Sequence, residues 1–284
     1  MIRLPTRAYP PVAYLALTAM LTPGTALAAG NVLLEAAASF HGEQAEEYVG
    51  AVSGLGDVNG DGLDDFYVGA WLGGVGGGAA YLFFGRQQSW SLDTPVSAAD
   101  VMIYGERPSE GVGYSRSQTP GDLDGDGLHD IVVDDIWNDE VGNNAGQVYV
   151  VFGRQSGLTA EMPVGASDAS FLGESAEDYT GFFRILGDLD GDGLDDLAIG
   201  SEMCDQARGC TYLVFGSPAG WSMGQSLSAA DRRYTGDHVN DIAAVLGGGG
   251  DVNGDGYDDL LVGAAGSDAN GNNAGAAYLV AGRS

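Results

Sequence analysis

Four segments of this 284-residue chain space acidic residues as a cation-wrapping loop would. The first offers Asp57, Asn59, Asp61 and Asp65 at positions 1, 3, 5 and 9, and the second Asp122, Asp124, Asp126 and Asp130. The third offers Asp188, Asp190, Asp192 and Asp196, and the fourth Asp251, Asn253, Asp255 and Asp259. Calcium takes about six to eight oxygen ligands, and side chains at positions 1, 3 and 5 with a main-chain carbonyl at position 7 can supply most of them. Leu63, Leu128, Leu194 and Tyr257 hold that carbonyl position, each preceded by a glycine where the loop must turn sharply. Position 12 is Val68, Val133, Ile199 or Val262, so the loops lack the bidentate Glu of an EF-hand. The cation-free alternative is an Asx-turn hairpin. Three or four converging carboxylates repel one another unless a cation relieves them, which favours calcium, up to four ions. Magnesium fits less well, because it demands a compact octahedron and keeps its waters.

Stepping from loop to loop gives intervals of 65, 66 and 63 residues between Asp57, Asp122, Asp188 and Asp251. An apolar run ending in glycine follows each loop: Tyr81–Gly85, Tyr149–Gly153, Tyr212–Gly216 and Tyr278–Gly282. A third landmark is an acid at Glu43, Glu106, Glu174 and Asp237, the last three each 21 residues beyond a strand-ending glycine. Alternation and flanking glycines predict four short strands per unit, in the first unit at about 47–55, 65–70, 78–85 and 98–104. No sustained helical period appears after the first 28 residues. Four-stranded units of this size cannot bury both faces alone and must stack; radial stacking gives an all-β propeller.

These residues resemble the FG-GAP repeat of integrin alpha-subunit propellers and of many exported bacterial proteins. The likeness covers residues 37–284 and rests on the motif Gly-Asp-x-[Asp/Asn]-Gly-Asp-Gly-x-x-Asp before an apolar strand, in four phased copies. It implies that each loop joins the first and second strands of a blade. Integrin propellers have seven blades, whereas this chain has four repeats, at approximately 44–106, 107–174, 175–237 and 238–284. The last repeat reaches only its third strand, while residues 36–43 match a fourth strand with no unit before it. The expectation is a four-bladed ring closed by that N-terminal strand. A strand-exchanged homodimer of eight blades is the alternative, and an open half-ring the third arrangement.

Residues 1–28 read as a secretory signal: Arg3 and Arg7, an apolar run from Val12 to Leu21, and small residues at Ala26 to Ala28. The run is too short to span a bilayer as a permanent helix. The predicted location is therefore secreted, periplasmic or at the cell surface, with the propeller over 29–284. Cys204 and Cys210 are the only cysteines and are expected to form a disulfide in that compartment. The net charge of −29, with eleven arginines and no lysine, excludes a nucleic-acid partner, which needs basic stripes. A hydrophobic content of 44% argues against disorder despite that charge.

Catalytic motifs are scarce. Gly220-Trp221-Ser222-Met223-Gly224 fits a nucleophile elbow, but that motif needs a helix after it and His and acid partners. His41, His129 and His238 do not gather, and His129, at position 8 of a loop, is expected to face solvent. The face opposite the metal loops is expected to carry Trp71, Asp135, Trp137, Asn143, Asn144, the Cys204–Cys210 loop, Asn272 and Asn273. Those residues suit an extracellular protein or glycan ligand. The expected function is thus a non-enzymatic binding or adhesion module, with a polysaccharide-active enzyme domain or a lectin as the alternative. Glu43, Glu106, Glu174 and Asp237 are expected to cap backbone N–H groups.

Overall fold

The computed structural model describes residues 37–73, 76–108, 110–114 and 119–283. The signal-like segment 1–28 lies outside them, as does Ala36 of the expected closing strand. The chain begins with β1 (Phe40–His41), and unit one follows with β2 (Val49–Gly56), β3 (Asp65–Ala70), β4 (Ala79–Phe83), β5 (Thr94–Pro95) and β6 (Val101–Tyr104). Unit two contains β7 (Ile131–Asp135), β8 (Gln147–Val151), β9 (Glu161–Pro163) and β10 (Ala169–Leu172). Unit three contains β11 (Thr180–Ile185), β12 (Leu197–Ser201), β13 (Cys210–Val214), β14 (Gln225–Ser226) and β15 (Arg232–Thr235). Unit four contains β16 (Ala243–Gly250), β17 (Asp259–Ala264) and β18 (Ala276–Val280). The fold is all-β. Among the described residues no helix is long and apolar enough to cross a membrane.

Within each unit the main strands form an antiparallel meander, as in β2-β3-β4-β6 and β11-β12-β13-β15. The strands expected for unit one are all present, and units one to three each add a feature that periodicity did not predict. Two or three extended residues ahead of the outer strand (β5, β9, β14) pair in parallel with an outer strand from the preceding unit. Thus β6 lies between β4 and β9, and β10 between β8 and β14. Runs of two residues are too short to show alternation, which is why the sequence reads them as loop.

The cores lie between successive sheets, because both faces of every central strand are apolar. Leu55, Tyr67, Leu82 and Ile103 of unit one pack on Ile131, Val133, Tyr149 and Val151 of unit two. Val132, Val150 and Phe171 of unit two pack on Phe183, Leu197, Ile199 and Val214 of unit three. Leu186, Ala198 and Leu213 of unit three then meet Ala243, Leu260 and Val262 of unit four. Each fully buried Leu or Val contributes about 1.5–3 kcal/mol of transfer free energy, so stacking, not the isolated sheet, holds the units together.

The closing strand departs from expectation. β1 does not join β18: the sheet of unit four has three strands, β16-β17-β18, and β1 makes a two-stranded pair with β5. Phe40 explains its position. That ring packs on Phe66, Phe83 and Trp90 with centroids 4.7–5.3 Å apart, an aromatic slot on the outer face of unit one.

Candidate functional site: the Asp-rich loops

The first, third and fourth loops hang between the first and second strands of their units and the second loop precedes β7; the side chains of each first organise its own backbone. The position-1 carboxylate of Asp122 accepts the N–H groups of Gly125 (2.7 Å) and Asp126 (3.2 Å) on one oxygen and of Gly127 (2.8 Å) on the other. Asp57, Asp188 and Asp251 repeat these three bonds in their own loops. The position-3 oxygen of Asn59, Asp124, Asp190 or Asn253 accepts the N–H of position 5. Asp61, Asp126, Asp192 and Asp255 accept from Leu63, Leu128, Leu194 and Tyr257.

Position 9 lies deeper. Asp65, Asp130, Asp196 and Asp259 are all buried. Asp130 bridges the N–H of Leu123 (2.6 Å) and of Gly153 (2.9 Å), tying the loop to the end of the third strand. Asp65, Asp196 and Asp259 make the same bridge. Burial pushes the Asp130 and Asp196 carboxyls up to about 7, and the charges of Asp124 or Asp190 and their neighbours add to the rise. Burial and like-charged neighbours also raise Asp124 and Asp190.

In the second loop, carboxylate oxygens of Asp122, Asp124 and Asp130 lie within 4.8 Å of one another, and in the third those of Asp188, Asp190 and Asp196 do the same. Oxygens bound to one calcium ion at about 2.3–2.6 Å can be no further apart than about 5 Å. The donor set is all oxygen, hard and anionic, and the spacing fits that ion. The first and fourth loops keep the same hydrogen-bond pattern with an amide oxygen at position 3.

Position 8 corrects the reading of His129. Its imidazole does not face solvent: Nδ1 accepts the N–H of Asp57 (3.0 Å), and the His129 N–H donates to the Asp57 carbonyl (3.0 Å). Asp195 makes the same pair of bonds to Asp122, and the Asp258 N–H donates to the Asp188 carbonyl (2.9 Å). Position 8 is therefore a joint between loops, a role that the single His among three Asp residues conceals.

The landmark acids cap backbone only in part. Glu43 accepts the Ser97 N–H (3.3 Å) and Glu106 the Gly165 N–H (3.2 Å), each at a short 3-10 turn of the next unit. Glu174 instead accepts the Tyr212 hydroxyl (2.7 Å) and lies 3.4 Å from the Arg233 guanidinium. Sequence reasoning missed the acids four residues further on. Glu47, Glu110, Asp178 and Asp241 are buried and accept N–H groups from the preceding turn. Their constant offset from the landmark acids was the available signal.

At the strand ends opposite the loops, Tyr48, Trp71, Tyr114 and Trp137 form one aromatic cluster, with Trp71 and Trp137 centroids 5.4 Å apart. Asn138, beside Trp137, lines a polar cleft of about 400 Å³ with Arg107, Glu140 and Ser170. Asp135 is buried beneath, accepting the Gly111 N–H (3.0 Å) and the Asn138 amide (3.2 Å). Asn143 and Asn144 bond Glu177, and Asn273 donates its N–H to Asp268 (2.6 Å). Cys204 and Cys210 form a disulfide, with the Arg233 guanidinium 3.2 Å from each sulfur. Ser222 is exposed, in a loop followed by β14 and a 3-10 turn, not by the α-helix of a nucleophile elbow.

The FG-GAP repeat family matches residues 243–280. Over 78% of this chain it is 28% identical to integrin alpha-5 of Xenopus laevis and 29% identical to integrin alpha-PS2 of Drosophila melanogaster. It is 30% identical to integrin alpha-7 of Mus musculus over 58% of its length. The chain spans only 20%, 16% and 13% of the length of these relatives. Repeat period, loop chemistry and these similarities agree: the chain is an integrin-like FG-GAP repeat protein.

Proposed function

We propose that this chain is an exported β-propeller whose Asp-rich loops bind structural calcium and whose opposite face binds a protein or glycan ligand. The convergence of three carboxylates in each of the second and third loops supports the ion most directly. Bound calcium would be held by the side chains at positions 1, 3, 5 and 9 and the carbonyl at position 7, and would neutralise acids that burial otherwise disfavours as anions. Its role is to fix the turn between two strands. Millimolar ion at sites of extracellular-type affinity, around 10⁻⁴ to 10⁻³ M, adds a modest stabilisation at each loop. The segment 1–28 would direct export and be removed.

For the ligand, the Tyr48–Trp71–Tyr114–Trp137 cluster beside a polar cleft offers stacking surface next to hydroxyl-bonding groups, the combination a sugar needs. The test is retention of the purified protein on a glycan array and on polysaccharides. Retention lost in Trp71→Ala and Trp137→Ala, with no new reducing ends, supports a binding module. Release of reducing ends would replace it with the polysaccharide-active reading.

A further inference from the structure

The three joints between units follow one pattern, and its two halves stand open at opposite ends of the array. In each joint, position 8 of the later loop donates its N–H to the position-1 carbonyl of the earlier loop, at 2.9–3.2 Å. The residue after the strand-ending glycine donates to the position-2 carbonyl: Arg154 to Val58, Ser217 to Leu123 and Arg283 to Leu189, at 2.7–2.9 Å. Position-2 side chains are covered as a result, with Val58 and Leu123 fully buried and Leu189 3% exposed, whereas Val252 of unit four is 57% exposed. A Cβ added at Gly56 or Gly187 would collide with His129 or Asp258 of the next unit, but at Gly250 it would meet nothing within 4 Å.

The sheet face agrees. Leu261 and Leu279 are 41% and 49% exposed, although their counterparts Tyr67, Val132 and Ala198, and Leu82, Val150 and Leu213, are all buried. The complementary half lies at the other end. Asp64 holds position 8 of the first loop, is exposed, and among the described residues joins no earlier loop. Among the described residues β1 makes only the parallel pairing with β5; β6 and β10 each also pair antiparallel with the third strand of their own unit.

We propose that the open face of unit four is the docking site for unit one of a second copy of this chain, joined as each unit joins the next. β1 of that copy supplies the fourth strand beside β18, in the register of β6 on β4, which sets His41 opposite Ala276 and Phe40 opposite Ala277. Asp64 of that copy stitches to Asp251, and Arg86 to Val252. Two copies that make this contact reciprocally close into an eight-unit, two-fold assembly. A second copy is favoured over self-closure because β1 occupies its full seat on unit one while β18 stays bare: both halves exist in one chain without meeting. Each copy carries a charge of −29, so added salt should strengthen the contact. The inference stands on the joints alone and holds whatever ligand the opposite face takes.

The test uses the full chain with His41→Cys in one preparation and Ala276→Cys in another; the native cysteines are already paired. On mixing and mild oxidation in calcium, a covalent species of twice the chain mass is expected, and neither variant alone should form it. In the double variant, an intra-chain bond in a monomer of 29.1 kDa, or no bond from the mixture, overturns the proposal. Light scattering gives the second reading: a two-copy mass for the native chain, falling to one copy in Leu279→Asp while that single copy still unfolds in one cooperative transition. A one-copy mass for the native chain contradicts the proposal.

Discussion

Asp122 and Asp195, from successive loops, are bonded twice: the Asp195 N–H donates to the Asp122 carbonyl at 3.2 Å, and the Asp122 N–H donates to the Asp195 carboxylate at 2.8 Å. Removing the carboxylate leaves a half-buried donor without its acceptor, which costs about 1–3 kcal/mol. Asp195→Ala should therefore lower chemical-denaturation stability by that amount. Exposed Asp64→Ala, its counterpart in the first loop, should change the stability of a single copy by less than about 0.5 kcal/mol. Equal losses in the two variants would show that position 8 acts within its own loop and not across the joint.

Positions 1 and 3 separate folding from ion binding. Asp122 takes three backbone N–H groups, while Asp124 takes one, and Asn already serves at position 3 in the first and fourth loops. Asp124→Asn is expected to leave the melt in chelator unchanged and to weaken calcium at that loop by roughly tenfold, about 1.4 kcal/mol. Asp122→Ala is expected to destabilise the protein by about 2 kcal/mol in chelator as well as in calcium. Calorimetric titration and denaturant melts of both variants check this split.

Asp135 gives a pH signature away from the loops. Burial, then the charge of Glu110, pushes its carboxyl up to about 7, above the usual carboxylate range near 3.8. A raised folded-state value means the neutral form is preferred in the fold. Its contribution is thus fully present below about pH 4 and lost as pH rises through 7. Asp135→Asn should flatten the stability profile over that window by up to a few kcal/mol. Identical pH profiles for the variant and the native protein would show that the group titrates normally.

The acids behind the landmark positions predict a third kind of loss. Glu110 is buried and accepts the N–H groups of Glu106 (2.6 Å) and Arg107 (2.9 Å). Glu110→Ala should cost about 2 kcal/mol or more, because two donors lose a charged acceptor. Exposed Glu106→Ala removes one exposed cap to Gly165 and should cost less than about 1 kcal/mol. Denaturant melts of the two variants decide the order.

What the sequence made legible were the features that repeat within a unit: the Asp positions, the second and third strands, and the Tyr-led run before each glycine. Leu63, Leu128, Leu194 and Tyr257 show the limit. Their carbonyl position follows from spacing, but the side chains of Leu128, Leu194 and Tyr257 also cover the position-4 glycine of the preceding loop, and that depends on the angle between units. His129 was misread for the same reason, since its partner lies 72 residues away. β5, β9 and β14 are extended by pairing alone, and no local pattern marks them. Residues 36–43 were legible as a fourth strand, but the seat of β1 on unit one was not: it rests on Phe40 meeting Trp90 as Phe171 meets Trp221, contacts between residues about 50 apart in the chain.

The most direct test of the account is thermal unfolding of the mature protein in millimolar calcium, in magnesium and in excess chelator. If the Asp-rich loops hold structural calcium, the melting temperature falls substantially in chelator, magnesium restores little of it, and calcium restores it in full. A melt that is the same in all three conditions would contradict the claim that these loops bind calcium to hold the fold.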